Sequence, residues 1–278
     1  MRKLVTLAAV LAAMLTLTVG SANAVQYGQP DGNGHPWVGL VSFHDANGVP
    51  LWRCTGSLID SDTFLTAGHC TEKPAAKAVI WFAAGPISIT NGWTTGRSCA
   101  GLTGYPCSGD ATGTPQSHPN WNGALTIPNT NDVGVVQLSS EVTSQGYGTL
   151  AGLNHLDKLA TKRGTQNVEF TVVGYGLQLV KPRQSADRTR MVGTVSLVNL
   201  RSALTDGYNI HYSSNPGQGH GGSGGTCFGD SGGPVIHDGK IVGVNSFVLN
   251  LNCKGSAFAY RVDIANSRSF LDDYTTVP

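Results

Sequence analysis

The sequence predicts an all-β protein. Short apolar and aromatic runs alternate with turn residues over most of its 278 residues, and 37 of these are glycine. No long segment repeats apolar residues at the 3, 4 and 7 spacing of an amphipathic helix, so short strands joined by turns are favoured. The 18 basic and 17 acidic residues nearly cancel, and they form no dense basic run. This balance argues against a nucleic-acid partner.

The first half of the chain has the pattern of a β lobe. Asn47-Gly48 separates the first two apolar runs, and such a pair predicts a tight hairpin. We interpret the Gly, Thr, Ser and Pro-rich segment 94–119 as a surface loop, which Cys99 and Cys107 would staple. The predicted strands of this lobe cover residues 37–43, 51–59, 64–66, 79–83 and 133–138.

The second half repeats the pattern after a weakly patterned segment. We interpret residues 145–165 as a linker between a first lobe at about 25–144 and a second at about 166–262. Residues 263–274 lack glycine and proline and predict a C-terminal helix that docks on one lobe. The predicted strands of the second lobe cover residues 168–175, 191–200, 210–212, 235–236, 241–247 and 257–262.

The first 24 residues have the pattern of a secretory signal peptide. Two basic residues precede an apolar run at residues 4–19, and Ala-Asn-Ala at residues 22–24 supplies a small-residue cleavage site. A membrane anchor is the alternative, but this run is shorter than the about 20 residues of a membrane span. We therefore expect a secreted, extracellular protein that begins at Val25 and has no membrane attachment.

The cysteines favour a disulfide framework, because an even number in an exported chain suits an oxidising compartment. Metal ligation is the alternative. However, Cys-x-x-Cys, His-Glu-x-x-His and clustered Cys/His spacings do not occur, so we expect no metal site. The six cysteines are Cys54, Cys70, Cys99, Cys107, Cys227 and Cys253.

Ser231 is the candidate nucleophile. It lies in Gly-Asp-Ser-Gly-Gly-Pro at residues 229–234, where small neighbours let a substrate backbone approach. A serine hydroxyl becomes reactive when an imidazole takes its proton and backbone N–H groups hold the oxyanion. The amides of Gly229 and Ser231 are candidates for that oxyanion hole. A glycine-rich turn without chemistry is the alternative that this motif alone leaves open.

His69 and Asp132 are the candidates for the base and its orienting carboxylate. His69 follows the apolar run 64–66 and precedes Cys70, so a strand end and a bridge would hold its imidazole. Asp132 opens the apolar run 133–138, where a buried carboxylate needs a partner. The alternatives are a structural histidine and an Asn-Asp turn at the surface.

These segments together resemble the chymotrypsin/trypsin family of serine proteases. Residues 66–70 (Thr-Ala-Gly-His-Cys) resemble the family's Thr-Ala-Ala-His-Cys, and residues 131–133 resemble its aspartate segment. Residues 229–234 resemble its serine segment, and residues 172–176 resemble its Gly-Trp-Gly turn. The order His, Asp, Ser along the chain is also the family's order. We expect a secreted member of bacterial type, with one trypsin-like peptidase domain over residues 25–278.

The resemblance implies two six-stranded antiparallel Greek-key β-barrels with the active site between them and a short C-terminal helix. It implies a monomeric serine endopeptidase that needs no cofactor, acts on proteins or peptides and meets a protein protease inhibitor. It also implies bridges from Cys54 to Cys70 and from Cys227 to Cys253, which leaves Cys99 to pair with Cys107.

By the same resemblance, a specificity pocket would be lined by Gly225, Thr226, Ser246, Phe247, Val248 and Ala257. Trypsins carry an aspartate where this chain has Gly225, so cleavage after Lys or Arg is not expected. Val248 stands where an open pocket has glycine, and its bulk favours small to medium uncharged side chains. Thr226 and Asn245 make an acidic or amide side chain the second option.

Activation is expected to differ from that of pancreatic relatives. Those enzymes are cut after a basic residue, and the new terminal ammonium pairs with the aspartate that precedes the serine, here Asp230. This chain has no basic cleavage site after residue 24. We therefore expect signal removal itself to release Val25 for an ion pair with Asp230.

Two other functions are kept as alternatives. Gly-x-Ser-x-Gly at residues 229–233 also matches the nucleophile turn of α/β-hydrolases, which would make the protein a secreted esterase. That fold needs alternating strands and helices and a histidine well after the serine, and only His237 follows Ser231. A catalytically silent, protease-like binding protein is the second alternative.

Overall fold

The computed structural model of the chain describes residues 25–159, 167–180, 184–214, 224–276 and 278. The predicted signal peptide and part of the predicted linker at residues 145–165 lie outside these ranges. No helix in the described ranges is long and apolar enough to cross a membrane.

The first barrel is a closed ring of six strands in the order β2-β3-β4-β7-β6-β5, all of them antiparallel. Strands β2 and β3 form the hairpin predicted at Asn47-Gly48, where Gly48 has a φ of 74° that favours glycine. A one-turn helix, α1 (Gly68–Thr71), follows β4. The strands are β2 (Val38–His44), β3 (Pro50–Leu58), β4 (Thr63–Thr66), β5 (Lys77–Trp81), β6 (Ala111–Ser117) and β7 (Gly134–Leu138).

The second barrel closes in the order β9-β10-β13-β12-β11-β8, because β8 also pairs with β9. A two-residue strand, β1 (Gln29–Pro30), adds to the edge of β9. A short 3-10 helix (Asp157–Leu159) precedes this barrel, and the C-terminal helix α2 (Ala265–Leu271) follows it. The strands are β8 (Glu169–Gly174), β9 (Met191–Asn199), β10 (Asn209–Ser214), β11 (Pro234–His237), β12 (Lys240–Val248) and β13 (Gly255–Arg261). The predicted fold of two six-stranded antiparallel barrels with a short C-terminal helix is confirmed.

Strand β6 corrects the interpretation of residues 94–119 as one surface loop. Its residues Ala111–Ser117 pair with both β5 and β7. The strand has few apolar side chains because backbones approach closely here: a Cβ at Gly113 would lie 2.3 Å from the Gln137 carbonyl oxygen. The sequence of β6, Ala-Thr-Gly-Thr-Pro-Gln-Ser, therefore lacks the alternation of apolar and polar residues that predicts a strand, and its composition is typical of a loop.

The barrels pack on each other through two buried apolar clusters. Each cluster contains residues of both barrels. In one, Leu65 and Val135 of the first barrel pack against Ile241 and Val244 of the second. In the other, Leu40 and Val79 pack against Val173. Apolar burial therefore holds the two barrels together along their shared interface.

One buried cation crosses this joint. Arg190 is 1% exposed, and its Nε donates to Asp31 Oδ2 at 2.8 Å. Its Nη1 donates to the carbonyl oxygens of Val38 at 3.1 Å and Phe82 at 3.0 Å, both in the first barrel's part of the chain. Arg190 thus links the segment before β2, the first barrel and the start of β9. Its buried charge is balanced by Asp31, whose side chain is also 1% exposed.

We expect Asp31→Asn to lower the free energy of unfolding by about 3–5 kcal/mol, because it leaves the Arg190 guanidinium buried without a charge partner. The measurement is urea unfolding near neutral pH. As a control, Arg201→Gln removes the exposed pair between Arg201 and Asp157 and should cost less than about 1 kcal/mol. Equal costs for the two variants would contradict the role given to Arg190.

Candidate active site

His69 lies in helix α1, immediately after strand β4. The disulfide from Cys54 in β3 to Cys70 fixes this helix to the barrel wall. The Trp52 indole also donates to the Cys70 carbonyl oxygen at 2.8 Å. A covalent bridge and a hydrogen bond therefore hold the backbone on which the imidazole is mounted.

Asp132 faces His69 from the segment that leads into β7. Its Oδ2 lies 2.9 Å from His69 Nδ1, and its Oδ1 accepts the His69 backbone N–H at 2.8 Å. The hydroxyl of Ser246 in β12 also donates to Oδ2. The carboxylate is fully buried, and these donors satisfy it, which is the condition for keeping a charge in the interior.

The two groups shift each other's pKa in opposite directions. Burial opposes the ionisation of Asp132, but the charge and hydrogen bonds of His69 and the bond from Ser246 hold its pKa below the ordinary value. Burial likewise disfavours the charged imidazole, yet Asp132, helped by Glu72, raises the pKa of His69 above the ordinary value. The pair therefore stabilises a positive charge on His69.

Ser231 lies in the tight turn before β11, and this turn packs directly against β4. Gly232 has a φ of 77°, and a Cβ on it would lie 2.0 Å from Thr66 Oγ1. The Gly232 N–H donates to the Asn245 carbonyl oxygen, and the Thr55 N–H donates to the Ser231 carbonyl oxygen. The turn is thus held between the barrels, and Ser231 and His69 line the same cleft.

No hydrogen bond joins His69 to the Ser231 hydroxyl in the part of the chain that the structure describes. Such bonds are often long without substrate and tighten when it binds.

Two backbone amides beside the serine have no acceptor within the described ranges: those of Gly229 and Ser231. The Leu177 N–H donates to the Phe228 carbonyl oxygen at 2.9 Å, which turns that carbonyl toward Leu177. Because a trans peptide points its N–H opposite to its C=O, the Gly229 N–H points away from Leu177. Gly229 adopts a φ of 98°, which favours glycine.

The cleft beside Ser231 has a volume of about 360 Å³. It contains four of the six predicted pocket residues: Thr226, Ser246, Phe247 and Val248. Gly225 and Ala257 are not among its lining residues. Gly225 instead pairs with Gln26, and Ala257 lies buried in β13 opposite Val248.

Thr226 and Asn245, which both line the cleft, belong to a chain of polar groups. The Tyr212 hydroxyl donates to Asn245 Oδ1 at 2.8 Å and lies 2.8 Å from Thr226 Oγ1. Since the single Tyr212 proton goes to Asn245, the Thr226 hydroxyl is the donor of the other bond. The Asn245 Nδ2 group has no hydrogen-bond partner in the described part of the chain, although it is buried.

Several residues of the cleft were not predicted from the sequence. Phe258 stacks on Phe247 with ring centroids 4.6 Å apart, and both line the cleft. Trp121 faces His69 and donates its indole N–H to Glu72 at 2.9 Å. These residues belong to no motif, and only the closed barrels bring them to the serine. The role of Ser246 as a donor to Asp132 was also missed, because it was predicted only to line the pocket.

Asp230 is fully buried behind the serine turn. Its oxygens accept the backbone N–H groups of Cys227 at 2.9 Å and Gly176 at 2.8 Å. Burial raises its pKa to about 7 despite these bonds and the charge of Arg53. The described residues include no ion pair to Asp230. Val25 is also buried, and its side chain lies against Gly193 and Gly224.

The cysteines form three bridges, from Cys54 to Cys70, from Cys99 to Cys107 and from Cys227 to Cys253. The last bridge ties the segment before Ser231 to the loop between β12 and β13. It therefore fixes one side of the cleft.

Comparisons with known proteins agree with this architecture. Brachyurin from Leptuca pugilator is 29% identical over 209 residues, which cover 73% of this chain and 79% of brachyurin. A solved structure of HL collagenase superposes with a TM-score of 0.64 at 18% identity, over 90% of this chain and 98% of the collagenase. The scabies mite inactivated protease paralogue S-D1 gives a TM-score of 0.61 at 14% identity, over 91% and 99%.

These comparisons bear on two expectations, the bacterial type and the protein family. Brachyurin is an arthropod protein, and the expectation of a bacterial type has no support from these comparisons. The structural neighbours share the fold at low identity, and one of them is an inactivated protease. The trypsin family model matches residues 25–268, which is most of the chain. The chain therefore belongs to the trypsin family.

Proposed function

We propose that the protein is a secreted serine endopeptidase with Ser231 as nucleophile, His69 as general base and Asp132 as the carboxylate that orients His69. The observation that carries this proposal is the buried Asp132 carboxylate bonded to His69 Nδ1, on the cleft that Ser231 also lines. Family membership supports peptide or protein substrates. The three disulfides support function in an oxidising, extracellular compartment.

The proposed reaction is acyl transfer. With Nδ1 held by Asp132, His69 keeps Nε2 free to accept the Ser231 proton as the hydroxyl oxygen attacks the peptide carbonyl. The amides of Gly229 and Ser231 then stabilise the oxyanion, and protonated His69 gives its proton to the leaving amine. Water activated by the same imidazole releases the acyl group. Asp132 stays ionised throughout and stabilises the imidazolium.

The fold argues against a secreted esterase, whereas only the site argues against a catalytically silent binding protein. An α/β-hydrolase needs a mainly parallel sheet covered by helices, and the two antiparallel barrels do not provide one. The esterase alternative is therefore dropped. A catalytically silent protease-like protein keeps the same fold, and the inactivated scabies mite paralogue is similar to this chain. Against this alternative, the chain retains all three proposed catalytic side chains and, within the described ranges, two amides without acceptors.

We further propose that the cleft prefers small to medium uncharged side chains before the cleaved bond, with a carboxamide especially favoured. Val248 and the stacked ring of Phe258 limit the space in the cleft. Of the residues that line it, Asn245 offers Nδ2 as a donor without an acceptor among the described residues, and the Thr226 oxygen keeps lone pairs to accept. A carboxamide supplies a carbonyl oxygen that can accept from Asn245 and an NH₂ group that can donate to Thr226. In the described part of the chain no Lys or Arg lines the cleft, so a buried carboxylate would lack a counter-charge.

We also propose that the free amino group of Val25 pairs with Asp230 once the signal peptide is removed. Among the described residues no ion pair reaches Asp230, and burial raises its pKa to about 7. Val25 is buried in the second barrel, and Gln26 pairs with Gly225, five residues before Asp230. A terminal ammonium delivered to Asp230 would compensate the buried carboxylate and order the turn that carries Ser231.

Covalent labelling tests the proposed activity. We expect a sulfonyl fluoride to modify Ser231 with loss of casein hydrolysis, and Ser231→Ala to lower kcat by about 10⁶-fold. Mass mapping of the labelled peptide identifies the residue. As a matched control, Ser256→Ala in the same barrel should keep full activity. A folded wild-type protein that neither reacts with the reagent nor cleaves casein would support the silent binding protein.

Titration tests the proposed base. We expect the pKa of His69, followed by NMR in Ser231→Ala, to lie above 6.5, and Asp132→Asn to lower it because the compensating charge is lost. In the active enzyme the rate should rise as His69 loses its proton above pH 6.5, and Asp132→Asn should reduce kcat about 10⁴-fold. Asp273→Asn, at an exposed position that does not line the cleft, is the control. A rate that is flat from about pH 5 to 8 contradicts the assignment.

A panel of peptides that differ only in the residue before the cleaved bond tests the cleft. We expect kcat/KM for Gln to exceed that for Leu, with Arg and Lys among the poorest substrates. Asn245→Leu should reduce the Gln-to-Leu ratio about 5- to 150-fold, the effect of one unmade buried hydrogen bond. Arg201→Gln, at an exposed position that does not line the cleft, is the control. Strongest cleavage after Arg or Lys would overturn the proposal.

Unfolding at different pH values tests the Val25 ion pair in Ser231→Ala protein. In a form extended before Val25, a folded pKa of about 7 against 3.8 unfolded means that stability falls as pH rises through this window. The loss should reach about 4 kcal/mol. Protein that begins at Val25 should not show it, because the ammonium stabilises the carboxylate. Identical pH profiles, or full activity of the extended form without Ser231→Ala, would contradict the ion pair.

A further inference from the structure

A cluster of two histidines and one aspartate lies on the second barrel, away from the cleft. His155 Nε2 is 3.0 Å from His237 Nδ1, and His237 Nδ1 is 3.4 Å from Asp238 Oδ2. All three ligand atoms lie within 4.8 Å of one another. None of the three residues lines the catalytic cleft. The proposed catalytic mechanism therefore gives them no role.

His155 is held in place by the segment that leads into the 3-10 helix. Its backbone N–H donates to the Gly152 carbonyl oxygen at 3.2 Å. The next N–H, of Leu156, donates at 2.8 Å to the buried carboxylate of Asp263, which is itself paired with Arg261. The imidazole is therefore mounted on a backbone that is anchored on both sides.

His237 and Asp238 are held by the tight hairpin between β11 and β12. His237 pairs with Lys240, and the two residues between them, Asp238 and Gly239, have φ values of 50° and 71°. Positive φ at both central positions is typical of the two-residue hairpin turn that matches strand twist. The His237 ring also packs edge-on against Phe170, with centroids 5.6 Å apart. The segment that carries His155 and the hairpin that carries His237 and Asp238 are thus both held by other contacts. His155 and His237 are 82 residues apart in sequence, yet their ring nitrogens lie next to each other.

The spacing of these atoms fits a small divalent cation. Zinc binds imidazole nitrogen and carboxylate oxygen at about 2.0–2.2 Å with tetrahedral angles, which places neighbouring ligand atoms about 3.3 Å apart. The observed 3.0 Å and 3.4 Å lie on either side of that separation. Calcium and magnesium prefer ligand sets made only of oxygen atoms, whereas zinc binds neutral imidazole nitrogens well. Two imidazoles and one carboxylate therefore favour zinc over calcium or magnesium.

The charges around the cluster and the state of the cysteines also matter. Asp238 supplies the one carboxylate of the cluster, and its Oδ2 lies 3.4 Å from His237 Nδ1. A bound cation would therefore rely on the Asp238 carboxylate for compensation. All six cysteines are in disulfides, so no thiolate of this chain competes for the metal.

We propose that His155, His237 and Asp238 form a binding site for one Zn²⁺ ion, with water as the fourth ligand. The site joins the segment before the second barrel to the β11–β12 hairpin, and the ion stabilises the second barrel by closing this contact. Motif spacing gave no indication of it, because the ligands come from two distant segments. The proposal does not depend on the catalytic one.

Calorimetric titration with ZnCl₂ tests the site. The protein is the chain from Val25 with Ser231→Ala, which prevents self-digestion, after treatment with a chelator. We expect one equivalent of Zn²⁺ to bind and to raise the Tm. His155→Gln and His237→Gln keep a hydrogen-bonding side chain but remove a ligand, and each should weaken binding by at least about tenfold.

Three further variants distinguish binding at this cluster from binding of Zn²⁺ elsewhere on the protein. Asp238→Asn changes an exposed side chain without altering its size and should also weaken binding, even if a histidine variant unfolds. His211→Gln, a histidine of the same barrel outside the cluster, and His69→Gln should both leave binding unchanged. The proposal is overturned if no saturable binding occurs, if binding survives all three cluster variants, or if only His69→Gln removes it. The first outcome would leave His155 and His237 as a hydrogen-bonded pair alone.

Discussion

The buried Arg190–Asp31 pair is the contact on which the arrangement of the two barrels depends. A guanidinium that is 1% exposed is stable only if its charge and its donors are all satisfied. Its partners here are Asp31 in the segment before the first barrel, the carbonyl oxygen of Val38 in β2 and the carbonyl oxygen of Phe82, which directly follows β5. The cation therefore fixes three parts of the chain to each other. The apolar clusters supply most of the adhesion between barrels, whereas this pair specifies one orientation.

That orientation matters because the proposed catalytic groups come from different barrels. His69 and Asp132 belong to the first barrel, and Ser231 belongs to the second. The contacts that cross between them are short and specific: Ser246 donates to Asp132, and Gly232 packs on Thr66 with no room for a side chain. A small rotation of one barrel would break both contacts together. The site thus exists only in the docked arrangement.

The sequence predicted the all-β class and most strands. It also singled out His69, Asp132 and Ser231 as candidates; in the structure Asp132 is bonded to His69, and His69 and Ser231 line one cleft. It did so because apolar runs and turn residues are local signals, and because His69 and Ser231 lie in short segments of distinctive composition. Strand β6 was missed because close backbone packing at Gly113 replaces apolar side chains with glycine and threonine. The cleft wall from Trp121 and Phe258, the Asn245 nitrogen without a partner among the described residues, and the His155–His237 contact all depend on distant segments meeting. No local pattern encodes such meetings.

The disulfides have a consequence for the integrity of the molecule. Two bridges lie within the first barrel and its loops and one lies within the second, so none of the three joins barrel to barrel. Apart from the polypeptide that runs between them, the barrels associate as two subunits would. A single cut in that connection would turn an intramolecular contact into a bimolecular equilibrium. Dilution, which leaves an intact chain unaffected, would then separate the halves and disassemble the site.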